Sequence, residues 1–156
     1  MKALTVWQPW ASLVVIGAKP YEYRKWPAPA SLVGQRIVIH AGAYTPKLED
    51  FRELIDRLGT FEAGGMVEKL ARPFLEECIR ETRKMPVCRD IPVLRAGVGE
   101  ATLGQPVRCI DLYNGDPRVD EDMWAWPMLE PKRWVKPVWC KGGQKFWDWQ
   151  PQEQLL

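Results

Sequence analysis

The sequence predicts an α+β domain, a small and mostly antiparallel β-barrel whose short strands surround a helical insertion at about residues 45–85. Three observations carry this reading. Short stretches rich in β-formers recur in both halves of the chain, at Ala3–Trp7, Pro20–Arg24, Gln35–His40, Val98–Leu103, Val107–Tyr113, Arg133–Cys140 and Lys145–Trp149. Between them lie three runs whose apolar residues fall at helical spacing. The 156 residues contain no internal repeat and no low-complexity linker, which fits one domain spanning 1–156.

Each element has a local cause. After the first strand, Gln8-Pro9 opens a helix, with Pro in the first turn where its missing N–H costs nothing. Trp10, Leu13, Val14 and Gly17 share one face, and Gly17 ends the helix as a left-handed cap. Along Pro20–Arg24, Tyr21 and Tyr23 point one way and Glu22 and Arg24 the other. Trp26–Ser31, with Pro27 and Pro29, is a loop. Thr45-Pro46 reads as a helix start, followed by the stripe Leu48, Phe51, Ile55 and Leu58 and closed by Gly59. A second helical run passes through Val67, Leu70, Phe74, Cys78 and Ile79, and Pro73 is expected to kink or divide it. Its outer side interleaves Glu76, Glu77, Arg80, Glu81 and Arg83, a solvated face. Asn114-Gly115-Asp116-Pro117 is a turn.

Composition narrows the function. Apolar residues at 46% and charged residues at 27% exclude a disordered chain. The longest largely apolar stretch, 11–18, is far short of the roughly 20 residues that span a bilayer. Gln8-Pro9 interrupts the start of the chain, so it does not read as a secretory leader. Cys78, Cys88, Cys109 and Cys140 form no CxxC pair, and His40 is the only histidine, so neither a zinc site nor any other metal or cofactor is expected. Reduced thiols in a cytoplasmic protein are the simplest reading. The net charge of +2 excludes a general polyanion sponge, so any nucleic-acid contact must come from a local patch. The outlier is tryptophan, at nine residues, of which Trp7 and Trp10 are expected in the core.

Three separated segments together resemble a known family. They are Leu4–Leu13 with Gly17-Ala18-Lys19-Pro20-Tyr21-Glu22-Tyr23-Arg24 and Trp26-Pro27, then Ile37–Ala41, then Pro137–Trp147. The chain resembles the ASCH-domain family of the PUA-like superfamily, whose GxKxxExR hallmark is complete as Gly17, Lys19, Glu22 and Arg24. The resemblance covers residues 3–42, 97–103 and 124–148, and 45–95 carries no specific match. It implies a PUA-like barrel, a cleft beside the Lys-Glu-Arg motif, and RNA or a nucleotide-like ligand. Some relatives in the wider family are amidohydrolases acting on acylated cytidine, and others are reported as ribonucleases.

The motif has a physical reading of its own. A Glu held between two cations stays ionised, and the residual positive charge suits a phosphate. Arg24 offers a planar fork, Lys19 a point charge, and Glu22 an acceptor for an exocyclic amine. Trp26 shares their parity and can stack on a base. Gln8, at the start of the first helix, is a candidate contact, and His40 a candidate edge contact or general base. Lys141-Gly142-Gly143-Gln144-Lys145 is a basic loop able to bring backbone N–H groups to a phosphate, although it is not a P-loop. From Pro131 to Trp147 five basic residues interleave with four aromatics and no acid.

The expected function is an RNA- or nucleotide-binding domain, with Gln8, Lys19, Glu22, Arg24, Trp26, His40, Lys141, Gly142, Gln144 and Lys145 as ligand-binding candidates. The alternative is hydrolysis of an acylated nucleoside such as N4-acetylcytidine, with Lys19 and Glu22 catalytic and Glu100 as a further acid. Such relatives tend to have Thr where Glu22 stands. RNA cleavage by His40 with Lys19 is a third reading, and exposed tryptophans that bind a protein partner a fourth.

Overall fold

Seven strands make one curled, mixed sheet in the computed structural model, which describes residues 1–84 and 91–151. The strands are β1 (Lys2–Val6), β2 (Tyr21–Arg24), β3 (Arg36–Ala41), β4 (Ala96–Leu103), β5 (Val107–Arg108), β6 (Trp124–Trp139) and β7 (Phe146–Asp148). Their order is β2-β6-β4-β3-β1-β7, with β5 paired to β6. β1 and β3 run parallel, and every other pairing is antiparallel.

The sheet curls into a half-barrel because its two edges are drawn toward each other. Trp126 of β6 stacks on Phe146 of β7 at 5.6 Å, and Arg24 of β2 reaches the Thr5 carbonyl of β1 at 3.4 Å. Leu4, Ile37, Ile39, Val98, Ala101, Leu103 and Trp126 fill the hollow, closed on one side by α1 (Trp10–Val15). A second core lies behind α1, where Leu13 and Ala18 meet α2 (Leu48–Arg57) and α3 (Glu68–Lys84). Trp10 and Ile16 pack against both cores. The helical segment therefore backs the domain, its buried stripe facing α1 rather than a cleft.

Several local expectations are corrected. The strand expected over Val107–Tyr113 stops at Arg108, and Cys109–Leu112 forms α4, because β6 offers partners only to Val107 and Arg108 before Cys109 turns inward and is buried. α2 begins at Leu48 rather than Pro46, since the Asp50 carboxylate accepts the Lys47 N–H at 2.7 Å and fixes the first turn there. Pro73 does not divide α3. The carbonyl its ring leaves unpaired belongs to exposed Lys69, while Ala71, Phe74, Leu75 and Cys78 hold the turns on either side in the core. Trp7 is not in the core: it is 62% exposed and stacks on Tyr44 at 5.0 Å, because Leu4 and Val6 take the inward face of β1. Cys78 and Cys109 are buried and Cys140 is half-buried, whereas Cys88 lies outside the described residues. No helix among the described residues is long and apolar enough to cross a membrane.

Candidate functional site

The motif is assembled by the exit from α1. Gly17 adopts φ +79°, a conformation that side chains disfavour, and the N–H groups of Ala18 and Lys19 then both donate to the Leu13 carbonyl, at 2.9 and 3.0 Å. This turn delivers Lys19 to the mouth of β2. Its ammonium donates to the Tyr21 carbonyl and to Glu22 Oε2, each at 2.6 Å, and lies 5.7 and 5.3 Å from the Trp10 and Tyr23 ring centres. Glu22 Oε1 accepts from Arg24 Nε at 3.1 Å. Glu22 and Arg24 meet because residues two apart share a strand face. Lys19 and Glu22 are buried, and such a pair is tolerable only because each charge has a bonded partner.

Arg24 is less enclosed. Its Nη2 donates to the Thr5 carbonyl, and its guanidinium lies 5.9 Å from the Trp126 ring centre. On the opposite face of β2, the Tyr23 hydroxyl donates to the Gly64 carbonyl and meets the Tyr113 hydroxyl, both at 2.6 Å, fastening the strand to the helical segment. Burial and the Tyr113 contact push its pKa well up, so the phenol stays protonated.

A polar chain runs from β1 into the C-terminal loop. The register sets Thr5 opposite His40. Trp147 Nε1 donates to Thr5 Oγ1 at 3.1 Å, the Thr5 hydroxyl donates to His40 Nδ1 at 3.3 Å, and His40 Nε2 donates to the Cys140 carbonyl at 2.8 Å. The carbonyl can only accept, which fixes the proton on Nε2. Burial pushes the His40 pKa down, opposed in part by the Cys140 carbonyl, so the ring is neutral at pH 7.

Three cavities surround these groups. The triad cavity, of 280 Å³, is lined by Thr5, Trp7, Trp10, Glu22, Tyr23 and Arg24. The seam cavity, of 430 Å³, sits between the sheet edges and is lined by Arg24, Trp26, Pro27, Trp126, Lys145 and Phe146. The loop cavity, of 750 Å³, is lined by Thr5, His40, Arg95, Trp139 and the 140–144 loop. Arg24 is common to the first two and Thr5 to the first and third.

The sequence-derived candidates therefore divide. Lys19, Glu22 and Arg24 come together. Trp26 and Lys145 join Arg24 at the seam, and Lys141, Gly142 and Gln144 line the loop cavity. Gln8 is corrected: its side chain is buried, with Nε2 donating to Ser12 Oγ and the Val93 carbonyl and Oε1 accepting the Ser12 N–H. It caps α1 from within. His40 is corrected as a general base, since it is 1% exposed and both ring nitrogens are bonded. Glu100 is not with Lys19; it pairs with Arg36 at 2.9 Å and accepts from Trp134, and the Arg36 bond above all holds its carboxyl below the usual range.

Sequence reasoning missed Trp7, Thr5 and Arg95 as cavity residues. Strand parity carries the signal for the first two: with Leu4 and Val6 inward, Thr5 and Trp7 must face outward. Arg95 gives no such signal, because its position follows from backbone bonds to Gly42 and Cys140.

A Lys-Glu-Arg triad thus stands at the turn after the first helix of a half-barrel backed by helices. The family model for the ASCH domain matches residues 4–93, and the chain belongs to the ASCH domain family. The match runs through most of 45–95, where the sequence motifs show no likeness. Among solved structures, ASCH from Zymomonas mobilis aligns at 15% identity, covering 88% of this chain and 72% of that one, with a TM-score of 0.44. A point mutant of the same protein aligns at 15% identity and the same coverage, with a TM-score of 0.43. No curated protein matches the chain.

Proposed function

We propose that this chain is an RNA- or nucleotide-binding domain whose ligand lies against Arg24. The observation that supports this reading is the seam cavity. It sets Arg24 and Lys145 beside Trp26, which is 48% exposed, and no acidic side chain lines it. Its 430 Å³ falls in the range of small-molecule sites, and the combination supplies phosphate partners next to a stacking surface. Glu22 fixes Nε of Arg24 and the Thr5 carbonyl fixes Nη2, which leaves Nη1 for a phosphate oxygen. In this reading Glu22 and Lys19 are positioning residues.

The test is a titration of uridine monophosphate and short single-stranded RNA at rising salt. Affinity is expected to fall steeply with salt, and Arg24→Ala to weaken binding at least about tenfold, as loss of a charged contact should. Binding that ignores salt, or none at all, removes the proposal. Hydrolysis of N4-acetylcytidine would ask Lys19 and Glu22 to act on a substrate in the triad cavity. Both Glu22 oxygens and two Lys19 donors are already bonded within the protein, so incubation is expected to release no cytidine.

A further inference from the structure

We infer that the loop cavity is a second base-stacking station beyond Thr5, and that the ligand is a single-stranded oligonucleotide running to it from the seam cavity past Arg24. The inference rests on the nucleotide-binding reading and extends it from one nucleotide to several.

Three observations carry it. The cavity has room for a nucleotide, at 750 Å³, and Trp139 at its edge is 59% exposed. A large aromatic left in water beside a cavity is a platform on which any base can stack. Second, the walls are cationic: Arg95 and Lys141 line the cavity, no acidic side chain does, and neither forms an ion pair among the described residues. The contrast with the cavity beside Trp10 and α2 is direct, since Asp50 and Glu53 line that one together with Arg57. Third, Thr5 lines both the triad cavity and the loop cavity, and it holds Arg24 through its carbonyl and His40 through its hydroxyl, while His40 holds the Cys140 carbonyl. The station is thus tied to the triad by continuous hydrogen bonds.

Arg95 and the residues from Trp139 to Gln144 line the cavity together with Thr5 and His40. Gly142 makes the close approach possible, because a Cβ there would lie 2.6 Å from His40 Cε1.

The experiment measures affinity of the full chain for oligouridylates of one to four nucleotides, with oligothymidylates of the same lengths alongside. Affinity is expected to rise about tenfold or more when a second and third nucleotide are added, the usual worth of a stacked base. A rise in either sugar series supports the station, and the pair of series shows which sugar it takes. Trp139→Ala should abolish most of that rise and leave uridine monophosphate affinity unchanged, whereas Trp139→Phe should keep most of the rise. Circular dichroism confirms that both variants fold. A flat length dependence, or a full rise in Trp139→Ala, overturns the station and leaves the single-nucleotide site standing. Failure of every length to bind, the mononucleotide included, overturns both.

Discussion

The Lys19-Glu22-Arg24 triad and the 141–145 loop carry the same kind of charge in opposite circumstances. In the triad, both Glu22 oxygens are bonded within 3.1 Å, and Lys19 is buried between two rings. In the loop, Lys141 and Lys145 stand in water, and neither has a carboxylate partner among the described residues. The first arrangement lowers the cost of buried charge and holds β2 to the turn after α1. The second leaves charge available to an anion. Glu22 and Lys19 therefore serve the fold, whereas Arg24 and the loop lysines are the charges that the proposed ligand would meet.

The largest test of this contrast is Glu22→Ala. It strands a buried ammonium and frees Arg24, and a loss of about 3–5 kcal/mol in chemical denaturation is expected. A loss under about 1 kcal/mol with ligand binding abolished would place Glu22 among ligand contacts instead. Next is Gly142→Ala, whose Cβ would also lie 2.9 Å from His40 Nδ1 and 3.0 Å from Thr5 Oγ1. Overpacking of this kind costs about 1–3 kcal/mol, and the loop should shift away from His40. An unchanged urea midpoint would show that the loop yields freely.

The smallest effect concerns pH. Burial holds the folded His40 pKa below the ordinary 6.5, so below that pH the unfolded chain binds a proton that the folded protein resists. Stability from this source is complete above the unfolded value and declines as pH falls toward the folded one. The drop in urea midpoint between about pH 7.5 and about pH 5 should be smaller in His40→Gln than in the native protein. Equal drops would mean that the carboxylates alone account for it.

Much of this was legible from local chemistry. The alternation in Tyr21–Arg24 put Glu22 and Arg24 on one face, and Gly17 marked the left-handed turn that presents Lys19. What was hidden depends on distant partners. Gln8 looks like a surface amide until Val93, 85 residues away, accepts its hydrogen. His40 looks like a base until its register partner Thr5 and the Cys140 carbonyl occupy both nitrogens. Trp7 looks like a core residue beside Trp10, but strand parity with Leu4 and Val6 points it to solvent.

The bond from Gln8 to Val93 has an architectural consequence. It clasps the residue before α1 to the chain just before β4, and the Arg95 N–H, donating to the Gly42 carbonyl at 3.3 Å, closes the base of the helical stretch between β3 and β4. Changes on the outer surface of that stretch leave the first helix, and with it the geometry of the basic face, in place so long as α2 and α3 keep their packing on Leu13 and Ala18 and the amide keeps its grip.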